Sequence, residues 1–218
     1  MPNWVFTEVK TDLVTMMDIK RRFSNEKNQF SFQKIKPMPE ELNIESSSTG
    51  DYGLVELYRL SSDENEKNEI IAAYLSRNMF YSEASFKKKA DEGLPDYLKA
   101  DNPDEYEKML SIGRKYLENF ENYGSTDWYD WSRKNWGTKW DACDPEYHDD
   151  MITFTTAWTF AEGAILELSK LCPAAKFHCR FADEAMDENS GIVRMQNGEI
   201  IKEKYGLCRR TIKDIWGY

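Results

Sequence analysis

Tryptophan clustering constrains this chain more than any other feature. Residues 127–141 read D-W-Y-D-W-S-R-K-N-W-G-T-K-W-D and carry four of the seven tryptophans, Trp128, Trp131, Trp136 and Trp140. A packed indole buries about 150–250 Å², so the rest of the chain is expected to fold onto this segment. Thr126 or Asp127 can cap a helix over 127–136, with Asp130 in the first turn favoured by the positive end of the dipole and Gly137 as a left-handed stop. Trp128 and Trp131 then share one helical face, while Tyr129, Arg133 and Trp136 run along another. Beyond Gly137, Thr138, Trp140 and Ala142 alternate with Lys139, Asp141 and Cys143, which predicts a strand over 138–143. Packing accounts for most aromatic clusters, and it places Trp131, Trp136 and Trp140 in the core. The functional alternative is a pocket walled by Trp136, Trp140 and Trp158, with Asp130, Arg133, Lys139 and Asp141 as its polar groups.

A chain of 218 residues can bury a substantial core, and no linker divides it. It is expected to form a single domain over 1–218. The formal net charge of −10 argues against nucleic acid and anionic membrane as partners, because binding to either draws on clustered lysine and arginine. With 14% aromatic residues the chain is unlike a disordered acidic tail. It contains no run of about 18 apolar residues and no signal-peptide pattern, which predicts a cytoplasmic protein. Cys143, Cys172, Cys179 and Cys208 form no C-x-x-C pair and read as reduced thiols.

The hydrophobic period changes twice along the chain. Residues 3–10 alternate Val5, Thr7 and Val9 with Trp4, Phe6 and Glu8, as in a central strand with apolar groups on both faces. Thr15 with Asp18 opens a helix over 15–25. Phe30 and Phe32 alternate with polar residues up to Pro37 and Pro39, which predicts an extended arm over 30–42. Residues 43–53, with three serines and Gly50 and Gly53, read as a loop. Helical spacing then dominates from 61 to 120, giving a helical insertion over about 55–122. Its basic run, Lys87, Lys88 and Lys89, is surrounded by acids and reads as a solvated helix face.

Strand period returns over 151–158, where Ile152, Phe154, Thr156 and Trp158 alternate with threonines and Ala157. Thr159 with Glu162 reads as a capping box for a helix over 160–171. In the strand over 175–182, Phe177, Cys179 and Phe181 face the core, while Lys176, His178 and Arg180 face away. The Q-N-G turn at 196–198 predicts a hairpin over 191–202. Residues 209–216 read as a last strand or a short helix. These elements define an α+β fold with a mainly antiparallel sheet.

Four motifs carry a resemblance: M-P-N-W at the start, F-S-F-Q-K-I-K-P-M-P-E-E-L from residue 30, W-Y-D-W-S-R-K-N-W-G-T-K-W-D-A from residue 128, and T-A-W at 156–158. Together they resemble the YubB-like family of uncharacterised proteins from bacterial plasmids, phages and genomic islands. The resemblance implies a ferredoxin-like sheet backed by helices and a mobile-element setting. It implies no reaction. Such a sheet has one face free of helices unless the insertion covers it, and Lys176, His178 and Arg180 would point there. Trp4, Phe6, Phe154 and Trp158 are the candidate stacking aromatics for RNA.

Catalytic chemistry finds little support. Cys143, His148, Asp149 and Asp150 form the one local cluster of metal-ligand types, and their spacing matches no zinc pattern, so neither metal nor cofactor is expected. Strand alternation aims His178 and Cys179 at opposite faces. The sequence contains no G-x-S-x-G, P-loop or G-x-G-x-x-G motif and has two histidines. The expected function is therefore non-catalytic: a protein-interaction or host-modulating module whose acidic surface complements a basic host protein. The alternatives are the tryptophan pocket, and RNA or DNA binding on the open sheet face.

Overall fold

Val5, Thr7 and Val9 are buried while Lys10, at the end of the opposite set, is exposed, which is the two-residue alternation of a strand at the centre of a sheet. The computed structural model describes residues 2–78, 80–98, 102–185 and 189–217. In chain order the elements are β1 (Trp4–Lys10), α1 (Leu13–Arg22), α2 (Phe32–Ile35), α3 (Ser48–Leu60), α4 (Glu64–Arg77), α5 (Glu83–Glu92), α6 (Pro103–Tyr123), α7 (Trp128–Asn135), β2 (Cys143–Tyr147), β3 (Met151–Ala157), α8 (Glu162–Leu171), β4 (Phe177–Asp183), β5 (Ser190–Gln196), β6 (Glu199–Tyr205) and α9 (Arg209–Trp216). They fall into two compact units. The sheet unit is Met1–Pro37 with Ser132–Tyr218, and the helical unit is Met38–Trp131. The boundary lies within α7.

In the sheet unit all strand pairs are antiparallel, in the order β2-β3-β1-β4-β5-β6. The run β1-α1-β2-β3-α8-β4 with spatial order β2-β3-β1-β4 is the ferredoxin-like arrangement, and the β5-β6 hairpin extends it. The fold is α+β. One face buries Val9, Ile152, Phe154, Cys179, Phe181 and Val193. Phe30 and Phe32 cover Phe154 at ring distances of 5.7 and 5.4 Å, and Phe160 stacks on Phe181 at 4.5 Å. Lys20 of α1 lies 5.3 Å over the Tyr147 ring, and Glu162 of α8 accepts from the Tyr205 hydroxyl at 3.2 Å, so both helices lie on this inner face. The outer face carries α9, whose Trp216 packs on Phe6 at 5.5 Å while Ile212 and Ile215 bury against Ala182.

Several local expectations are corrected. The cap of α1 is Asp12, whose carboxylate accepts from the Thr15 N–H at 2.9 Å and hydroxyl at 2.6 Å, so the helix starts before Thr15. The arm over 30–42 contains the short helix α2, because Phe32 and Ile35, three apart, are both buried. Residues 138–142 are not a strand; β2 begins at Cys143. Thr159 caps no helix, since its hydroxyl donates to the Gly137 carbonyl at 2.5 Å and α8 starts without a side-chain cap. Residues 209–216 form a helix.

In the helical unit the serine- and glycine-rich stretch at 43–53 runs directly into α3, which contains Gly50 and Gly53. These glycines are helix-packing positions. A Cβ on Gly53 would lie 2.4 Å from the Met109 carbonyl oxygen and 2.8 Å from the Gly113 Cα of α6, and one on Gly50 would enter the Tyr116 ring. Buried Arg77 holds the same region together. It donates to Asp51 at 2.6 Å, to Asp127, to the Ser46 hydroxyl at 3.1 Å and to the Ser47 carbonyl at 3.2 Å, and it lies 4.9 Å over the Tyr116 ring.

Candidate functional site

The tryptophan segment uses most of its polar groups internally. Asp127 accepts from the Tyr129 and Asp130 N–H groups at 2.9 and 3.0 Å, which caps α7. Asp130 belongs to the helical unit, where its buried carboxylate accepts from the Ser76 hydroxyl at 3.0 Å and the Thr126 N–H at 3.1 Å. The other candidate pocket residues lie in the sheet unit. Trp136 is buried, donates its indole N–H to the Lys36 carbonyl at 3.0 Å and packs on Phe32 at 6.0 Å. Asp141 caps α2, accepting from the Ser31 hydroxyl and the Phe32 N–H, both at 2.5 Å. Arg133 is half-buried on α7.

Trp140 departs from the core expectation. It is 37% exposed, packs on Trp4 at 6.1 Å and carries the Lys139 ammonium 4.6 Å over its ring. Trp158 is 51% exposed and has a left-handed backbone with φ of 73°, rare for a bulky side chain. Its N–H donates to the Asn3 carbonyl at 2.9 Å, and its carbonyl accepts from the Asn189 amide at 2.7 Å. The structure thus brings Trp4, Trp140 and Lys139 together at the edge where Trp158 leaves β3, and turns Trp136 and Asp141 inward. Among the proposed stacking aromatics, Phe154 lies on the buried inner face and Phe6 is covered by Trp216.

At the other end of the outer face the strand register aligns a basic row. Lys10 of β1 lies opposite His178 of β4, His178 opposite Arg194 of β5, and Arg194 opposite Lys202 of β6. All four are exposed. In the next row, Arg180 is committed internally: it pairs with Glu8 at 2.5 and 3.2 Å and with Asp214 of α9 at 3.0 Å. Lys10 pairs with Asp150 at 2.9 Å. Among the described residues no carboxylate lies within 4.0 Å of Lys176, Arg194, Lys202 or Lys204. Partial burial pushes His178 below its ordinary value, and the charges of Arg194, Lys176 and Lys10 push it the same way. A concavity of about 530 Å³ adjoins the row, lined by Lys10, Thr11, Asp12, Ala174, Lys176 and His178.

Lys176, His178 and Arg180 are legible from the alternation of one strand. Arg194 and Lys202 were missed, and the signal for them is the Q-N-G turn: folding the hairpin about it sets these two side by side. His148 hydrogen-bonds Thr153 at 3.1 Å, and among the described residues no three His, Cys, Asp or Glu side chains converge as a metal site. No described helix is long and apolar enough to cross a membrane.

The topology defines a protein built around a ferredoxin-like sheet, and comparison with known families agrees. Residues 135–214 match the family model of the ferredoxin-like domain in Api92-like protein. Among solved structures, the crystal structure of a protein api92 from Yersinia pseudotuberculosis matches with a TM-score of 0.41 and 6% identity, covering 95% of this chain and 99% of that one. No curated protein matches the chain significantly.

Proposed function

We propose that this chain is a non-catalytic, cytoplasmic interaction module of the YubB-like kind, carried by a bacterial mobile element, that binds a basic host protein through its helical unit. The observation that carries this reading is the partition of charge. Met38–Trp131 holds 21 acidic and 10 basic residues, whereas the sheet unit holds 18 acidic and 19 basic. The whole net charge therefore resides in the helical unit. An acidic field of this kind accelerates encounter with a basic protein and repels nucleic acid. Phe80, 97% exposed, and Tyr81 and Tyr97, each more than half exposed, stand among these carboxylates. Aromatic groups within a charged rim are the usual anchors of protein interfaces.

The test is affinity capture from host lysate at physiological salt with the wild-type chain and the triple reversal E64K/E66K/E69K on α4. The expected result is one stoichiometric basic protein that is lost with the reversal and released by added salt. Capture that is indifferent to the reversal, or no capture at all, would overturn the proposal.

A further inference from the structure

The geometry points to a second binding surface, on the sheet unit: the outer-face row Lys10, His178, Arg194 and Lys202 is a phosphodiester track for single-stranded nucleic acid. Neighbouring strands lie about 4.8 Å apart, so four strands set the row across about 14 Å. Like charges directly opposite one another destabilise a sheet, and here the register sets Arg194 opposite Lys202, with His178 between Arg194 and Lys10 and with Lys176 and Lys204 close by. Partial burial, and after it the charges of Arg194, Lys176 and Lys10, lower the affinity of His178 for its proton. Asp150 pairs with Lys10 at one end of the row, Glu8 and Asp214 are taken by Arg180, and Asp12 caps α1. Glu199, opposite Gln196 on the same face, forms no ion pair with Arg194 or Lys202, which have no carboxylate within 4.0 Å among the described residues.

An arrangement that costs stability in the free protein is relieved when a ligand supplies several negative charges along a line. A polyphosphate backbone does so. Among the described residues of the sheet unit no helix or ribbon stands out at this end of the outer face to enter a duplex groove, whereas a single strand can lie across the strand row. The exposed side of α9 adds Arg209, Arg210 and Lys213 on the same face, extending the positive field. The net charge of −10 conceals this surface because the excess acid lies entirely in Met38–Trp131.

The experiment is fluorescence anisotropy of labelled oligouridine and oligothymidine of about 20 nucleotides with the full chain at about 50 mM salt. Wild type is expected to bind both, and R194E/K202E to bind at least about tenfold more weakly with unchanged circular dichroism and melting. The salt dependence should flatten by about 0.7 in log–log slope for each phosphate that the variant no longer neutralises. Should R194E/K202E fail to fold, K176Q/K204Q, which neutralises two exposed lysines, is expected to weaken binding in the same direction. The inference is overturned if wild type binds neither oligonucleotide, if the charge variants bind as tightly as wild type, or if a duplex of the same length binds more tightly than the single strands. Retention on phosphatidylserine vesicles without oligonucleotide binding would overturn it equally.

Discussion

Trp136 donates its indole N–H to the Lys36 carbonyl and is almost wholly buried, so Trp136→Ala removes both an aromatic packing partner and a satisfied donor. A loss of about 3–5 kcal/mol is expected by urea denaturation. Trp158, half-exposed and at φ of 73°, should behave oppositely. Glycine adopts that backbone without a Cβ penalty, so Trp158→Gly is expected to keep or raise the melting temperature. A fall in the Trp158→Gly melting temperature as large as that of Trp136→Ala would show that exposure misjudges this indole. The sequence marks both residues only as tryptophans in aromatic surroundings. What separates them is the backbone: Trp136 follows the last residue of α7, with its N–H still bonded to the Ser132 carbonyl and its ring buried, whereas Trp158 follows the last residue of β3 in a left-handed conformation. Asp141 was legible as a polar neighbour of these rings, but its role as the cap of a helix more than a hundred residues earlier in the chain is a tertiary fact no local pattern carries.

Strands were readable apart from the one expected over 138–143. Alternation of Phe177, Cys179 and Phe181 with His178 and Arg180 survives in the structure because β4 buries the first set in the core and so admits a single register. Helix α3 was unreadable for a physical reason. Gly50 and Gly53 signal a loop when only intrinsic propensity is weighed, yet they are the residues that let α3 approach α6 closely. This makes Gly53→Ala a decisive substitution. Propensity alone favours alanine within a helix by up to about 1 kcal/mol. Overpacking against the Met109 carbonyl and the Gly113 backbone works against it, and with backbone atoms on the far side the strain is expected to prevail by about 1–3 kcal/mol. A Gly53→Ala protein that melts higher than wild type would show that α3 and α6 are not closely packed. The 30–42 stretch failed in a similar way, since F-S-F satisfies the strand period just where three-residue spacing between Phe32 and Ile35 buries α2.

For the whole molecule, the net charge of −10 is an average over two units of different character, and averaging hides the excess of acid in one and its near balance in the other. Read at that level, acidity argues against nucleic acid; read by unit, it argues against nucleic acid for the helical unit alone. If each unit carries its own binding surface, the two activities separate by mutation. E64K/E66K/E69K is expected to abolish protein capture and to leave the affinity for oligouridine within about twofold of wild type at physiological salt, where charges act over roughly 8 Å. R194E/K202E is expected to do the converse, retaining the protein partner while losing the oligonucleotide. Parallel measurement of both ligands on both variants checks this directly. Loss of both activities in either variant, with unchanged melting, would mean that the partner and the nucleic acid draw on one shared surface, and the assignment of separate roles to the acidic helices and the basic strand row would fail.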